Sequence, residues 1–312
     1  MTGNQVLFLI DGIRINNSAF SRFGPNQYLN TVDPFLLADI EVVRGPNSLL
    51  YGSDALGGVI AMTSKSRQSY EPGTHGNAEG VFRFGSAALE TTFSLRGEGN
   101  SGPWGAVGGA LFTHFDDLRG GRDTGVQTPT GYSAYAADLK VSYRIDERHT
   151  LTAAYQLHNL DDVPRTDRVT SGRNLVYEFD PQRRQLGYLR WDAKMDGALE
   201  EVHAALSYQV QEEGRTEVRS NAPDTVRQYD DKVDTAGLFA HASTSAGSHR
   251  ITFGGDLYHD DVSSARTDYT GGVPEEKDGR FPDGATYLQG GVFVQDEWRA
   301  TEDWRFLLGL RW

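Results

Sequence analysis

The chain has 312 residues, 38% of them hydrophobic, and a mean hydropathy of −0.51. It contains no apolar run of about 18 residues, so a membrane-spanning helix is excluded. A spanning β-barrel is not, because its strands show lipid only alternate residues. The formal net charge of −13 excludes nucleic acid as a partner, which needs clustered Lys and Arg, and the absence of Cys removes thiol nucleophiles, disulfides and Cys-based zinc sites.

In chain order, residues 1–5 carry no basic region, and the apolar run Val6–Ile10 is too short for a signal-peptide core. That run reads as a strand stopped by Asp11-Gly12. Further on, Ile40, Val42 and Val43 form a short strand, and Gly45-Pro46 turns the chain. Asn47 or Ser48 caps one helical turn through Tyr51. Gly52, Gly57 and Gly58 permit tight backbone before residues 59–62 return as a strand. Residues 67–77 are polar, with Pro72, Gly73 and Gly76, and read as a linker. Residues 306–312 are a strand pattern with nothing after it, so both natural termini are expected to lie outside the chain.

From residue 78 onward, amphipathic strands of about 10 to 13 residues follow one another. Tyr135, Ala137, Leu139, Val141, Tyr143 and Ile145 share one face, with Asp138, Lys140, Ser142 and Arg144 on the other. Leu151, Ala153, Tyr155 and Leu157 likewise oppose Thr152, Gln156 and His158. Short links near 99–103, 146–149, 195–199, 246–248 and 301–304 alternate with long polar ones near 116–132, 161–181, 214–231 and 261–287. A link of only a few residues near 86–88 breaks the rule. Tight turns on one side and long loops on the other are the habit of outer-membrane barrels. About eleven strands can be counted, and in lipid an open sheet of that size has costly unpaired edges.

The stretch from Ile40 through Val42-Val43-Arg44-Gly45-Pro46-Asn47-Ser48-Leu49-Leu50-Tyr51-Gly52-Ser53-Asp54-Ala55-Leu56-Gly57-Gly58 to Ile60 closely resembles the plug signature of TonB-dependent outer-membrane receptors. Leu9-Ile10-Asp11-Gly12-Ile13-Arg14 matches the family's strand and turn upstream. Phe293-Val294-Gln295-Asp296-Glu297-Trp298 and Leu308-Gly309-Leu310-Arg311-Trp312 resemble its barrel. After Ile60 the chain departs from the family's usual strand ending, with Ala61-Met62-Thr63-Ser64-Lys65. The resemblance implies a mainly β fold, with the C-terminal part of a plug (residues 1–66) and the linker (67–77). After these comes the first part of a transmembrane antiparallel β-barrel (78–312), about 11 of roughly 22 strands. It implies that Glu41 and Arg44 latch the plug to the barrel wall; the alternative is an ordinary surface ion pair. It also places Phe20, Arg22, Phe23, Asn26, Gln27 and Tyr28 on an outward plug loop that touches substrate. The alternative there is a polar loop packed on the inner wall.

Three rising strands end in His114-Phe115-Asp116-Asp117, His158-Asn159-Leu160-Asp161-Asp162 and His259-Asp260-Asp261. Carboxylate pairs of this kind bind Ca²⁺ through oxygen, and histidines meet haem iron or a metal chelate; hydrated strand ends are the plainer reading. No hydrolase, metalloprotease or phosphate-loop motif is present, so no enzyme and no cofactor are expected. The resemblance implies active import of a ferric siderophore, haem or cobalamin across the bacterial outer membrane. The expected partners are the TonB–ExbB–ExbD complex, whose contact segment lies before residue 1, and membrane lipid. The rival readings are a passive porin or adhesin barrel and a soluble all-β ligand-binding domain.

Overall fold

A small sheet, a very large one and a two-stranded ribbon in a loop make up the computed structural model, in which residues 6–20, 30–45, 48–67, 73–121 and 123–312 are described. The small sheet comprises β1 (Val6–Ile10), β2 (Ile13–Arg14), β3 (Leu37–Arg44) and β4 (Gly58–Ser64) in the order β2-β1-β4-β3. β1 runs parallel to β4, with Val6 opposite Gly58 and Ile10 opposite Met62. The sequence of β1, VLFLI, is an unbroken apolar run because both of its faces are covered. Phe8 and Ile10 pack with Ile13, Ile15 and Met62, and against Leu186, Tyr188 and Val233 of the large sheet. Leu7 and Leu9 face the other way, onto Ala55 and Val59. Each such fully buried side chain contributes about 1.5–3 kcal/mol. The expected helical turn is α1 (Ser48–Tyr51), and a second turn of 3-10 helix, Ser53–Leu56, follows it. Pro46 and Asn47 lie outside the described residues, as does the Ser48 side chain.

The large sheet begins with β5 (Thr74–Gly85), inside the stretch 67–77 read from sequence as a linker, followed by β6 (Glu90–Ser101) and β7 (Trp104–Phe115). A loop carrying the short β8 (Leu118–Arg119) and β9 (Val126–Gln127) leads to β10 (Tyr132–Arg144) and β11 (His149–Asp161). Then come β12 (Val163–Pro164), α2 (Thr166–Thr170), β13 (Asn174–Lys194), β14 (Glu201–Arg219) and β15 (Ala222–Ala246). The last are β16 (His249–Thr270), β17 (Val273–Asp278), β18 (Ala285–Arg299) and β19 (Arg305–Arg311). Eleven strands form one path, β5-β6-β7-β10-β11-β13-β14-β15-β16-β18-β19, every neighbouring pair antiparallel, with β5 and β19 as unjoined edges.

This sheet is apolar on the outside. Leu139, Leu189, Leu206 and Leu288 are each more than half exposed, while Lys140, Gln156, Arg184 and Gln209 on the opposite face are buried. The period of two therefore sorts the faces as the sequence pattern requires. Aromatic pairs cluster beside the short turns: Trp104 with Tyr143 (4.5 Å), His149 with Trp191 (5.8 Å) and His249 with Trp298 (5.7 Å). Such rings suit the boundary between lipid and water.

The connections differ from expectation on one side. The short turns fall where the sequence puts them, and the segment between Phe115 and Tyr132 is a true long loop. The supposed link 214–231 is instead continuous ladder: β14 runs to Arg219 and pairs up to Ala222 of β15, leaving only Ser220 and Asn221 at the tip. Likewise β16 continues to Thr270, and β13 starts at Asn174. Beyond the bilayer both faces of a strand meet water, so alternation lapses although the inter-strand hydrogen bonds continue.

Candidate functional site

The small sheet sits against the concave, polar face of the large one, and the seam between them is where buried polar chemistry concentrates. Its hub is the hairpin tip joining β1 to β2. Asp11 (φ 52) and Gly12 (φ 84) form a two-residue turn with both φ values positive, the geometry in which an Asp-Gly pair is favoured. A side chain at Gly12 would also approach the Phe239 ring at 3.5 Å. The turn aims the Asp11 carboxylate into the wall. It accepts from Ser64 N (2.9 Å), Ser64 Oγ (2.6 Å) and Tyr188 Oη (2.8 Å), and pairs with Lys140 Nζ at 3.2 Å. Arg190 donates to the Asp11 carbonyl at 3.4 Å.

Farther along, Asn17 closes a turn by accepting from Ala19 N and Phe20 N, and its amide donates to Gln211 Oε1 at 2.7 Å. Ser18 N donates to Asp260 Oδ2 (2.8 Å), whose Oδ1 accepts from Thr235. Gln211 Nε2 donates to the Ile15 carbonyl at 2.7 Å. Arg96 holds Asp138 through two bonds of 2.8 and 2.7 Å and reaches Asp33 at 3.6 Å. Arg184 is 1% exposed and has no carboxylate partner among the described residues; its Nε donates to the Thr31 carbonyl at 3.0 Å. Between the sheets lies a cavity of about 290 Å³, lined by Leu9, Gly12, Arg190, Phe239, His241 and Tyr258 among others.

A small sheet docked through buried charges inside a lipid-facing, polar-cored wall is an unusual arrangement, and known proteins share it. Residues 1–59 match the TonB-dependent receptor plug domain, and residues 112–312 match the TonB-dependent receptor-like β-barrel. The chain belongs to the TonB-dependent receptor family. It is an outer-membrane protein, as its relatives are. A vitamin B12 transporter of Vibrio vulnificus is 33% identical over 175 residues, covering 56% of this chain and 26% of that protein. A hemin receptor of Yersinia pestis is 27% identical, covering 94% of this chain and 41% of the receptor. In structure, the copper transporter OprC superposes with a TM-score of 0.79 at 18% identity, over 99% of this chain and 46% of that one. The chain thus spans less than half the length of these relatives.

Membership in this receptor family leaves no place for a soluble all-β ligand-binding domain. The small sheet is the plug and the large one the barrel wall. Glu41 and Arg44 lie exposed on the free edge strand β3, and neither forms an ion pair among the described residues. Phe20, expected at the substrate-touching loop, is instead 4% exposed and packs edge-on against Phe281 at 6.1 Å. It anchors the loop because its neighbour Asn17 turns the chain inward. Arg22, Phe23, Asn26, Gln27 and Tyr28 lie outside the described residues.

The rim carboxylates do not converge. Asp260 is spent on the plug, four strands away from Asp161 and so about 19 Å distant at ~4.8 Å per strand. His158 faces the lumen, whereas the partly exposed His114 and His259 pair with Asp116 and Asp261, each at 3.3 Å. Asp117 staples the loop after β7, accepting from Thr128 Oγ1, Thr130 N and Gly131 N, and these bonds hold its carboxyl below the usual range. Asp161 and Asp162 crowd Asp180, whose carboxyl is pushed up by burial and then by both neighbours. Among the described residues no three His, Asp or Glu side chains form a set able to hold a metal.

Sequence reasoning placed Lys140 and Gln156 on a polar strand face without assigning them a partner, and it read Asp11 only as a strand stop. Asp11 and Tyr188 are 177 positions apart, so no local pattern links them.

Proposed function

We propose that this chain is part of a receptor that imports a scarce nutrient, of the ferric siderophore, haem or cobalamin class, across the outer membrane, driven by the TonB–ExbB–ExbD complex. The observation that carries the reading is the seam. Besides the apolar cluster of Phe8, Ile10 and Ile13 with Leu186 and Val233, the plug is held by polar bonds of Asp11 to Tyr188 and Lys140, of Ser18 to Asp260 and of Asp33 to Arg96. Polar contacts of this kind can be exchanged for water one at a time, so a pull on the plug can shift it between two states. A passive pore has no need of such a stopper. The work is binding and release, with no catalytic step. We assign residues 1–66 to the plug and the strands from β5 onward, starting at Thr74, to the wall. Glu41 and Arg44 are assigned to latching the plug onto the barrel wall. The bare edge of β3, with Ile40 54% and Val42 58% exposed, supports that role.

The test is uptake by the full-length protein in its cell. Deleting the gene is expected to abolish growth or accumulation on one of haem, a ferric siderophore or cobalamin. Deleting TonB should reproduce the loss. Uptake that persists without TonB, and falls only with the receptor gene, would mark a passive pore instead.

A further inference from the structure

Beyond the plug, the inner face of the wall carries a row of alternating arginine and tyrosine. Gln211 reaches the plug at Ile15, and Arg215 stands four residues farther along the same strand. It therefore projects from the same face about 13 Å outward of that contact. Arg215 lies in register with Tyr229 on β15, and Tyr229 with Arg266 on β16. The register shift between Phe179 and Gln182 brings Tyr177 of β13 onto this face too. The Arg215 guanidinium lies 3.8 Å from the Tyr229 ring centre and 5.4 Å from that of Tyr177. Arg266 covers Tyr229 at 5.4 Å, and Arg165 covers Tyr177 at 5.5 Å.

The two outer arginines are neutralised: Arg165 by Asp167 at 2.8 Å, and Arg266 by Asp268 at 2.5 Å. Arg215 has no carboxylate within ion-pair distance among the described residues, and the Glu217 and Asp231 carboxylates near it are paired with Arg219 and Arg280. Its Nη1 donates to Tyr177 Oη at 3.1 Å, while its buried Nε has no partner. Ring faces hold a guanidinium in one plane but leave its in-plane donors and its charge available. In a chain of net charge −13, an arginine fixed on the lumen wall just outside the plug, with no carboxylate paired to it, is a preformed anion seat.

We propose that Arg215, clamped between Tyr177 and Tyr229, docks an anionic group of the imported ligand, a carboxylate or phenolate. The oxygens take guanidinium donors that the bond to Tyr177 leaves free, while the two rings hold the guanidinium plane in place. The inference rests on the import reading above and narrows its ligand to the anionic members of the class.

The experiment uses the full-length receptor in detergent, titrated with haemin, ferric citrate and a ferric tris-catecholate as anionic probes. Net-neutral cyanocobalamin and cationic ferrioxamine B are the contrasts. At least one anionic probe is expected to bind, and Arg215→Met to weaken it about 10- to 100-fold. Arg215→Lys, which keeps charge but loses the planar fork, should fall between. Tyr229→Leu removes the clamp without the charge and should also lose affinity, which guards against a misfolded Met variant. Tight binding only of cyanocobalamin or ferrioxamine B, binding of no anionic probe, or unchanged affinity in Arg215→Met would overturn the proposal. TonB-independent uptake of a probe that binds through Arg215 would overturn the import reading alone.

Discussion

Four donors converge on the Asp11 carboxylate, and they come from both sheets: Ser64 N and Oγ from the plug, Tyr188 and Lys140 from the wall. Lys140 is 7% exposed, so the ammonium depends on Asp11 for compensation. Asp11→Ala strands that charge, at a cost of about 3–5 kcal/mol. Ser64→Ala removes one neutral partner and costs about 0.5–1.5 kcal/mol. Hydrogen exchange on the full-length receptor measures both. Plug amides in β1 and β4 are expected to open more readily in Asp11→Ala, with the wall amides of β6 and β7 unchanged. Equal plug protection in the two variants would show that Asp11 is not the hub. At this scale the sequence is nearly silent, because an acidic residue before Gly has the same local appearance whether its partner is water or a lysine 129 positions away.

Among the elements, the tall ladder of β13 to β16 is the feature that the hydropathy pattern hides. Its integrity depends on a close approach at Gly214, where an added Cβ would overlap the Asp180 carbonyl oxygen, beside the register shift in β13. Gly214→Ala must push the strands apart there, costing about 1–3 kcal/mol. Gly80→Ala on β5 meets open space and should stay within about 0.5 kcal/mol. Limited proteolysis is expected to cut the Gly214 variant first within residues 174–180 and 215–219, above the bulge. Cleavage at the same sites and rates as the parent would refute this. The strands inside the bilayer were legible from alternation because one side meets lipid and the other the plug. The ladder above was not, since Glu217, Arg219 and their neighbours are polar on a strand as they would be in a loop.

As a whole, the molecule is inside out: exposed leucines and an aromatic belt cover its exterior, and arginines, glutamines and carboxylates fill its concave face. The sheet also leaves β5 and β19 unpaired as edges. This 312-residue chain, expressed alone, is therefore expected to aggregate in plain buffer and to require detergent or lipid. A sharp, reversible melt of a monomer in detergent-free buffer would contradict the membrane reading of the outer face.

The sequence by itself determined the family, through the packet from Ile40 to Ile60, and the side of each wall strand that meets lipid. Both are local properties: turn chemistry written in glycines, and a period of two imposed by one apolar surroundings. It also set the order of plug, connection and wall. Only the tertiary structure decided which polar residues hold the plug. It buried Phe20 against Phe281, spent Asp260 on Ser18, split the rim histidines between two faces, and left Arg215 charged between two tyrosines. Those outcomes depend on register across strands that are distant in the chain. A shift of one residue in that register would send each side chain to the opposite face, so no reading of neighbours along the chain can supply them.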